Sequence, residues 1–212
     1  MATTRPRRPV IHVAVIVLLF VAAHSARPSA ADEPPAPLIQ NARVRVWDVA
    51  PGGAPVATVP SRDSVTFIIR GDRANPQTEV LYRARNTIVP GPPTDARRIV
   101  IELQDATVPP LANASGYPLA FPRPGSRKLL ENDRVVVWSF TWTAGVATPM
   151  HFHDKDVVVT YLADGALTST TPQGTSATNE HQFGLTKFNA RDRVHTEMLA
   201  RGQASAMMVE LK

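Results

Sequence analysis

The sequence predicts an all-β protein, a sandwich or a barrel, on three observations. Its apolar runs are short and β-branched: VRVWDV, SVTFIIR, RIVIEL, RVVVWSFTW, DVVVTYL and AMMVEL, punctuated by Gly, Pro, Asn and Asp. Beyond the N-terminal stretch, nothing holds a 3.6-residue apolar period over three turns. The runs also repeat. NARVRVW (41–47) resembles NDRVVVW (132–138), RIVIEL (98–103) resembles AMMVEL (206–211), and SVTFII (64–69) can be laid on DVVVTY (156–161). A tandem copy of one β unit is the economical reading.

Taken in order, the chain opens on Arg5, Arg7 and Arg8, followed by the apolar run VIHVAVIVLLFVAA (10–23). That run is short for a bilayer span, which needs about 20 residues. Ser29 and Ala31 suit a cleavage site, so residues 1–31 read as a signal peptide and Asp32 as the mature N-terminus. An uncleaved anchor is the alternative. Residues 32–39 (DEPPAPLI) read as a flexible lead-in and 40–107 as the first β unit. Residues 108–126, rich in Pro, Gly, Ala and Asn, read as a linker, and 127–212 as the second, longer unit.

Composition bounds the function. The whole chain carries a formal charge of +5, but residues 1–31 hold four of its 23 basic residues and none of its 18 acidic ones. The mature chain is therefore near +1, with no basic patch and no aromatic platform suited to nucleic acid. There is no cysteine, hence no disulfide and no thiolate ligand, and a bound metal must be held by nitrogen and oxygen. The signal and the missing cysteines together imply a periplasmic or secreted bacterial protein.

Four histidines remain after residue 31. His151 and His153 stand at i and i+2 in TPMHFHDKDVVVTYL, so a strand presents both imidazoles on one face. His195 lies in a second strand-like run, FNARDRVHTEML, with Glu197 at i+2 on its own face. Three imidazoles with a nearby carboxylate suit a first-row divalent ion: Fe, Zn, Mn or Ni. Asp154 and Asp156 are weaker ligand candidates. His181 reads as a surface or satisfied core residue, Trp47, Trp138 and Trp142 as core, and Met150, Met198, Met207 and Met208 as core filler.

These residues resemble the cupin motifs. Gly145, His151, His153 and Gly165 match the first, G-x5-H-x-H-x(3,4)-E-x6-G; Gly184 and His195 match the second, G-x5-P-x-G-x2-H-x3-N. The resemblance implies double-stranded β-helix (jelly-roll) barrels, here a bicupin whose histidine-free N-terminal copy is degenerate. Departures accompany it. The family glutamate falls at Val157 or Val158, the proline and glycine of the second motif at Ala190 and Asp192, and its asparagine at Leu199. A three-histidine site is then implied, like that of thiol dioxygenases in the superfamily, with Glu197 as ligand or acid/base. A homodimer is a further expectation of the resemblance.

Three functions stay open on the sequence. One is a metal-dependent oxygenase or isomerase acting on a small molecule inside the barrel. The others are a non-catalytic small-molecule or metal-binding envelope protein and a metal-free structural bicupin.

Overall fold

The structure is a computed structural model that describes residues 36–53, 61–87, 93–106 and 108–212; the signal-peptide reading of 1–31 lies outside the described residues. The described residues are all-β and belong to one compact unit. The first half contributes β1 (Ile39–Gln40), β2 (Val44–Val49), β3 (Ser64–Arg70), β4 (Gln77–Arg83) and β5 (Arg97–Leu103). The second contributes β6 (Ser126–Glu131), β7 (Val135–Thr141), β8 (His151–His153), β9 (Asp156–Tyr161), β10 (Gly165–Thr170), β11 (Ser176–His181), β12 (Thr186–Asn189), β13 (Arg193–Gly202) and β14 (Ser205–Leu211).

These strands form three antiparallel sheets, ordered β1-β2-β5-β3-β4, β6-β7-β14-β9-β12 and β8-β13-β10-β11. The last two face each other as the jelly-roll barrel. Its lumen is filled by Trp138, Phe140, Trp142, Val157, Val159, Leu167, Ala206 and Met208. The outer face of the middle sheet carries Val135, Val137, Val158, Met207, Val209 and Leu211, and these pack on Val44, Val46, Val65, Phe67, Ile99 and Ile101 of the first sheet. Strand β14 is therefore buried on both faces, which is why AMMVEL reads as a continuous apolar run rather than an alternating one.

The repeat is visible in the geometry. The first and middle sheets share one strand order, β1 matching β6, β2 matching β7, β5 matching β14, β3 matching β9 and β4 matching β12. Val44 stands opposite Leu103, as Val135 stands opposite Leu211. The shared asparagine has one job in both copies. Asn41 Oδ1 accepts from the N–H of Arg43 (2.8 Å) and Val44 (2.9 Å), and Asn132 Oδ1 accepts from Arg134 (2.9 Å) and Val135 (3.0 Å). Each asparagine folds the turn that enters the strand. The third match is off by one residue from the sequence reading: Val65 faces Ile101 as Val158 faces Val209. A slip of one would turn both valines out of the inter-sheet core. Among the described residues, the first copy has no counterpart of β8, β10, β11 or β13, the sheet that carries the histidines.

Reciprocal ion pairs tie the two sheets. Arg134 Nη1 reaches Asp63 Oδ2 at 2.8 Å and Arg134 Nη2 donates to Gln104 O at 2.8 Å. Arg43 Nε reaches Asp156 Oδ2 at 3.7 Å and Arg43 Nη2 donates to Lys212 O at 3.2 Å. Each partner is the other's repeat equivalent, the mutual pattern of a two-fold interface formed within one chain.

The 108–126 segment does structural work. Ala120 N–H donates to Phe152 O and Phe152 N–H to Pro118 O, both at 2.8 Å. Phe121 stacks on Trp138 with ring centroids 5.2 Å apart. Gly165, from the first motif, sits where β10 meets β13: an added Cβ would lie 2.5 Å from Gln203 O and 2.7 Å from Arg201 O. Met198 corrects the core-filler reading. It is 43% exposed, because the inward alternation on β13 belongs to His195 and Glu197.

Candidate metal centre

Three imidazoles converge in the lumen. His151 and His153 come from β8 and His195 from β13, which pairs with β8 so that His195 stands opposite His151. One ring nitrogen from each lies within 4.8 Å of the others, and all three residues are buried. His153 Nε2 and His195 Nε2 are 3.1 Å apart. Two ligands on one ion at about 2.0–2.1 Å span about 2.8–3.4 Å between right-angle and tetrahedral arrangements, so the separation fits a shared cation. Two imidazole lone pairs at that distance repel unless a proton or a cation lies between them.

The supporting contacts orient the rings. His151 Nδ1–H donates to Pro149 O at 2.7 Å, which turns its Nε2 lone pair inward. His195 Nδ1 lies 3.0 Å from Ser169 Oγ on the neighbouring β10. His153 Nδ1 is buried without a partner. All three imidazoles favour the neutral, ligating form. Burial pushes His151 down to about 3, with the Arg123 charge adding to it. Desolvation also lowers His153 and His195, against the opposing pull of Glu197 on His195.

Arg123 is the site residue that the sequence reading missed. It lies in the 108–126 segment, its side chain only 4% exposed. Its guanidinium sits over the rings of Phe140 (4.3 Å) and Phe121 (4.9 Å). Nη1 contacts His151 Nε2, and Nη2 reaches Glu197 Oε2 at 3.3 Å. Glu197 Oε2 also accepts from Trp142 Nε1 at 3.1 Å. Glu197 therefore shares the lumen with His195, as strand parity predicts, with its carboxylate held by Arg123 and Trp142. No sequence signal marks Arg123, because 28 residues and a proline-rich stretch separate it from His151.

The remaining candidates sort by contact. Asp154 pairs with Lys155 at 2.7 Å, and Asp156 is taken by Arg43 and by the N–H of Arg191 at 2.9 Å. Neither joins the histidine group. His181 is a buried core residue: its Nε2–H donates to Gln203 O at 2.9 Å and its ring stacks on Tyr161, while its Nδ1 is buried without a partner. At the family glutamate position Val157 lines the lumen cavity, whereas Val158 faces the first sheet. The cavity beside the histidines measures about 20 Å³ and is lined by Arg123, Trp142, His153, Asn189, Arg193, His195 and Glu197 together with Val157, Val159, Tyr161 and Met208.

No family model matches the chain, and no curated protein matches it. Solved structures similar to the chain include proteins described as cupins. A cupin domain from Bordetella pertussis Tohama I is 26% identical over 43% of this chain and 97% of its own, at a TM-score of 0.38. A cupin 2 conserved barrel domain protein from Leptotrichia buccalis is 12% identical over 83% of this chain and 87% of its own, at a TM-score of 0.46. The polyketide cyclase RemF from Streptomyces resistomycificus is 23% identical over 50% of this chain and 79% of its own, at a TM-score of 0.33.

Proposed function

We propose that the protein is an exported cupin-type protein whose lumen holds one divalent first-row transition ion on His151, His153 and His195 and acts on a small molecule there, as an oxygenase or isomerase. The observation that carries this reading is the convergence of three buried imidazoles kept neutral by their surroundings, two of them with Nε2 atoms 3.1 Å apart. When bound, the ion would act as a Lewis acid and, if redox-active, as a site for oxygen chemistry. The chain's own residues supply the rest. Pro149 O fixes the His151 ring, and Ser169 Oγ contacts the Nδ1 of His195. Glu197 is the acid/base group, held at the lumen wall by Trp142 and Arg123. Val157 and Val159 supply part of the apolar lining of the cavity. No lumen carboxylate offsets the ion's charge within the ligand set, so the site favours an anionic ligand.

A second reading rests on Arg123. Its guanidinium already places a cation against His151 Nε2, an arrangement that suits a metal-free binding barrel in which arginine replaces the ion. Elemental analysis of the mature protein (residues 32–212, untagged) beside a His151→Ala/His153→Ala variant separates the two. Near-stoichiometric metal, lost in the variant, supports the first reading. No metal in either protein after incubation with iron, zinc, manganese and nickel supports the second.

A further inference from the structure

The cavity beside the histidines, about 20 Å³, has room for about one water, so the bulk of any molecule that reaches the proposed ion must lie elsewhere. A second cavity, of about 240 Å³, shares Trp142 with it as a wall. Its floor is the buried rings of Phe140 and Trp142, set edge to face with centroids 4.5 Å apart. Pro124 and Pro149 flank them, and Val146 stands at the rim, 57% exposed. That rim follows from Gly145. At a φ of 74° the glycine completes a turn in which Val146 N–H donates to Thr143 O at 3.1 Å, and the turn leaves the valine outside the core. No charged side chain lines this cavity, and none of the three histidines does.

The walls are also the residues that hold the histidine site. Trp142 Nε1 donates to Glu197 Oε2, Phe140 carries the Arg123 guanidinium over its ring, and Pro149 O accepts from His151 Nδ1. Thr148 N–H donates to Glu197 O, and Thr148 Oγ1 accepts from Glu197 N–H, both at 2.8 Å. The hydroxyl hydrogen of Thr148 is left without an acceptor among the described residues, in a wall of the cavity. We propose that this cavity binds an uncharged single-ring aromatic molecule with an oxygen acceptor, an aryl ketone or a phenol, its ring on Phe140 and Trp142 and its oxygen on Thr148 Oγ1. An apolar cavity of about 150 Å³ already takes up benzene, so this one has room for a ring with a short substituent. Edge and stacked contacts with Phe140 and Trp142 favour an aromatic ring over an aliphatic one. A carboxylate or ammonium would leave water for walls that offer no counter-charge. That the ring belongs to the substrate rests on the metal-site reading; the binding itself does not.

The test is titration of untagged residues 32–212 with acetophenone, ethylbenzene and benzoate, read by calorimetry and by the indole N–H resonance of Trp142, with metal content measured on every sample. Ala147→Phe, Thr148→Val and Thr148→Ser run alongside. Acetophenone is expected to saturate the wild type below about 10 mM and to shift the Trp142 resonance. Ala147 is exposed and lines the cavity, so Ala147→Phe fills the space and should weaken binding about tenfold or more. Thr148→Val should weaken acetophenone about fivefold and leave ethylbenzene, which has no oxygen, unchanged, while Thr148→Ser behaves as the wild type. Benzoate should bind at least about tenfold more weakly than acetophenone. Acetophenone bound by a protein that takes up no metal, and lost in Ala147→Phe, keeps this proposal while the metal reading falls. A metal-loaded protein that binds no acetophenone, or binds it equally in Ala147→Phe, overturns the proposal and leaves the metal reading standing. Benzoate binding tighter than acetophenone, or an equal response of acetophenone and ethylbenzene to Thr148→Val, also overturns it. Should Thr148→Val fail to fold, Ala147→Phe is decisive, since an unchanged affinity with the cavity filled contradicts the assignment.

Discussion

The guanidinium of Arg123 contacts Nε2 of His151, the nitrogen that the ring's bond to Pro149 turns into the lumen. One lone pair cannot serve both an arginine N–H and a metal ion. Arg123 is also a positive charge beside the proposed ion. Arg123→Gln is therefore expected to raise metal affinity by about tenfold or more, against the usual expectation that mutating a buried site residue weakens a site. Competition with a chromophoric chelator measures it, and unchanged or weaker binding contradicts the placement of Arg123.

Val157, one of the two positions onto which the glutamate of the cupin motif falls, lines the cavity with His153 and His195. Val157→Glu would add a carboxylate on the ligand side of the barrel. In metal-free protein it should cost about 2–4 kcal/mol, the burden of a buried acid without a designed partner. With metal, the ion offsets its charge, so the gain in melting temperature on adding metal should be larger for the variant than for the wild type. Thermal melts of both proteins with and without metal decide this.

Acid should destabilise the metal-free protein through its histidines. His151, His153 and His195 all have folded-state pKa values below the ordinary imidazole value, His151 at about 3. Below about pH 6.5 the unfolded chain takes up protons that the folded site refuses. Stability is thus fully present above that pH and falls as pH drops toward the folded values, by up to about 1.4 kcal/mol per unit for each histidine. Glu210, raised chiefly by burial, works in the opposite sense. Urea unfolding between pH 7 and 5 should show the decline, and His151→Gln should flatten it by about one third.

The reciprocal pairs between the sheets are unequal, and the inequality is testable. Arg134 makes two contacts at 2.8 Å, whereas its equivalent Arg43 makes longer ones and has a buried Nη1 without a partner. Arg134→Met should cost about 2 kcal/mol, because it strips the shortest ion pair from the buried Asp63, which retains Arg85 and a hydrogen bond with Tyr82. Arg43→Met should cost less than half of that. Equal losses in urea midpoint would contradict the geometry.

Much of this was legible in the residues. Short β-branched runs marked the strands, and Asn-x-Arg-Val-x-Val-Trp marked a repeat whose asparagines make the same turn. His151, His153 and His195 announced themselves by strand parity and motif spacing. Arg193 could have been found by the same parity, two residues before His195. Arg123 could not, since its place depends on a proline-rich segment laid against β8 by backbone bonds at Ala120 and Phe152. The one-residue register slip escaped because SVTFII and DVVVTY are too uniformly apolar to fix which face is which. Asp192 shows why a motif departure need not change a fold: it stands where the cupin motif has glycine and still adopts a φ of 65°. Aspartate is among the few residues that visit this region routinely.

The most direct measurement is elemental analysis of untagged residues 32–212 with the His151→Ala/His153→Ala variant. Close to one transition-metal ion per chain in the wild type, and none in the variant, is the predicted result. A wild type that stays empty after incubation with iron, zinc, manganese and nickel would contradict the central claim.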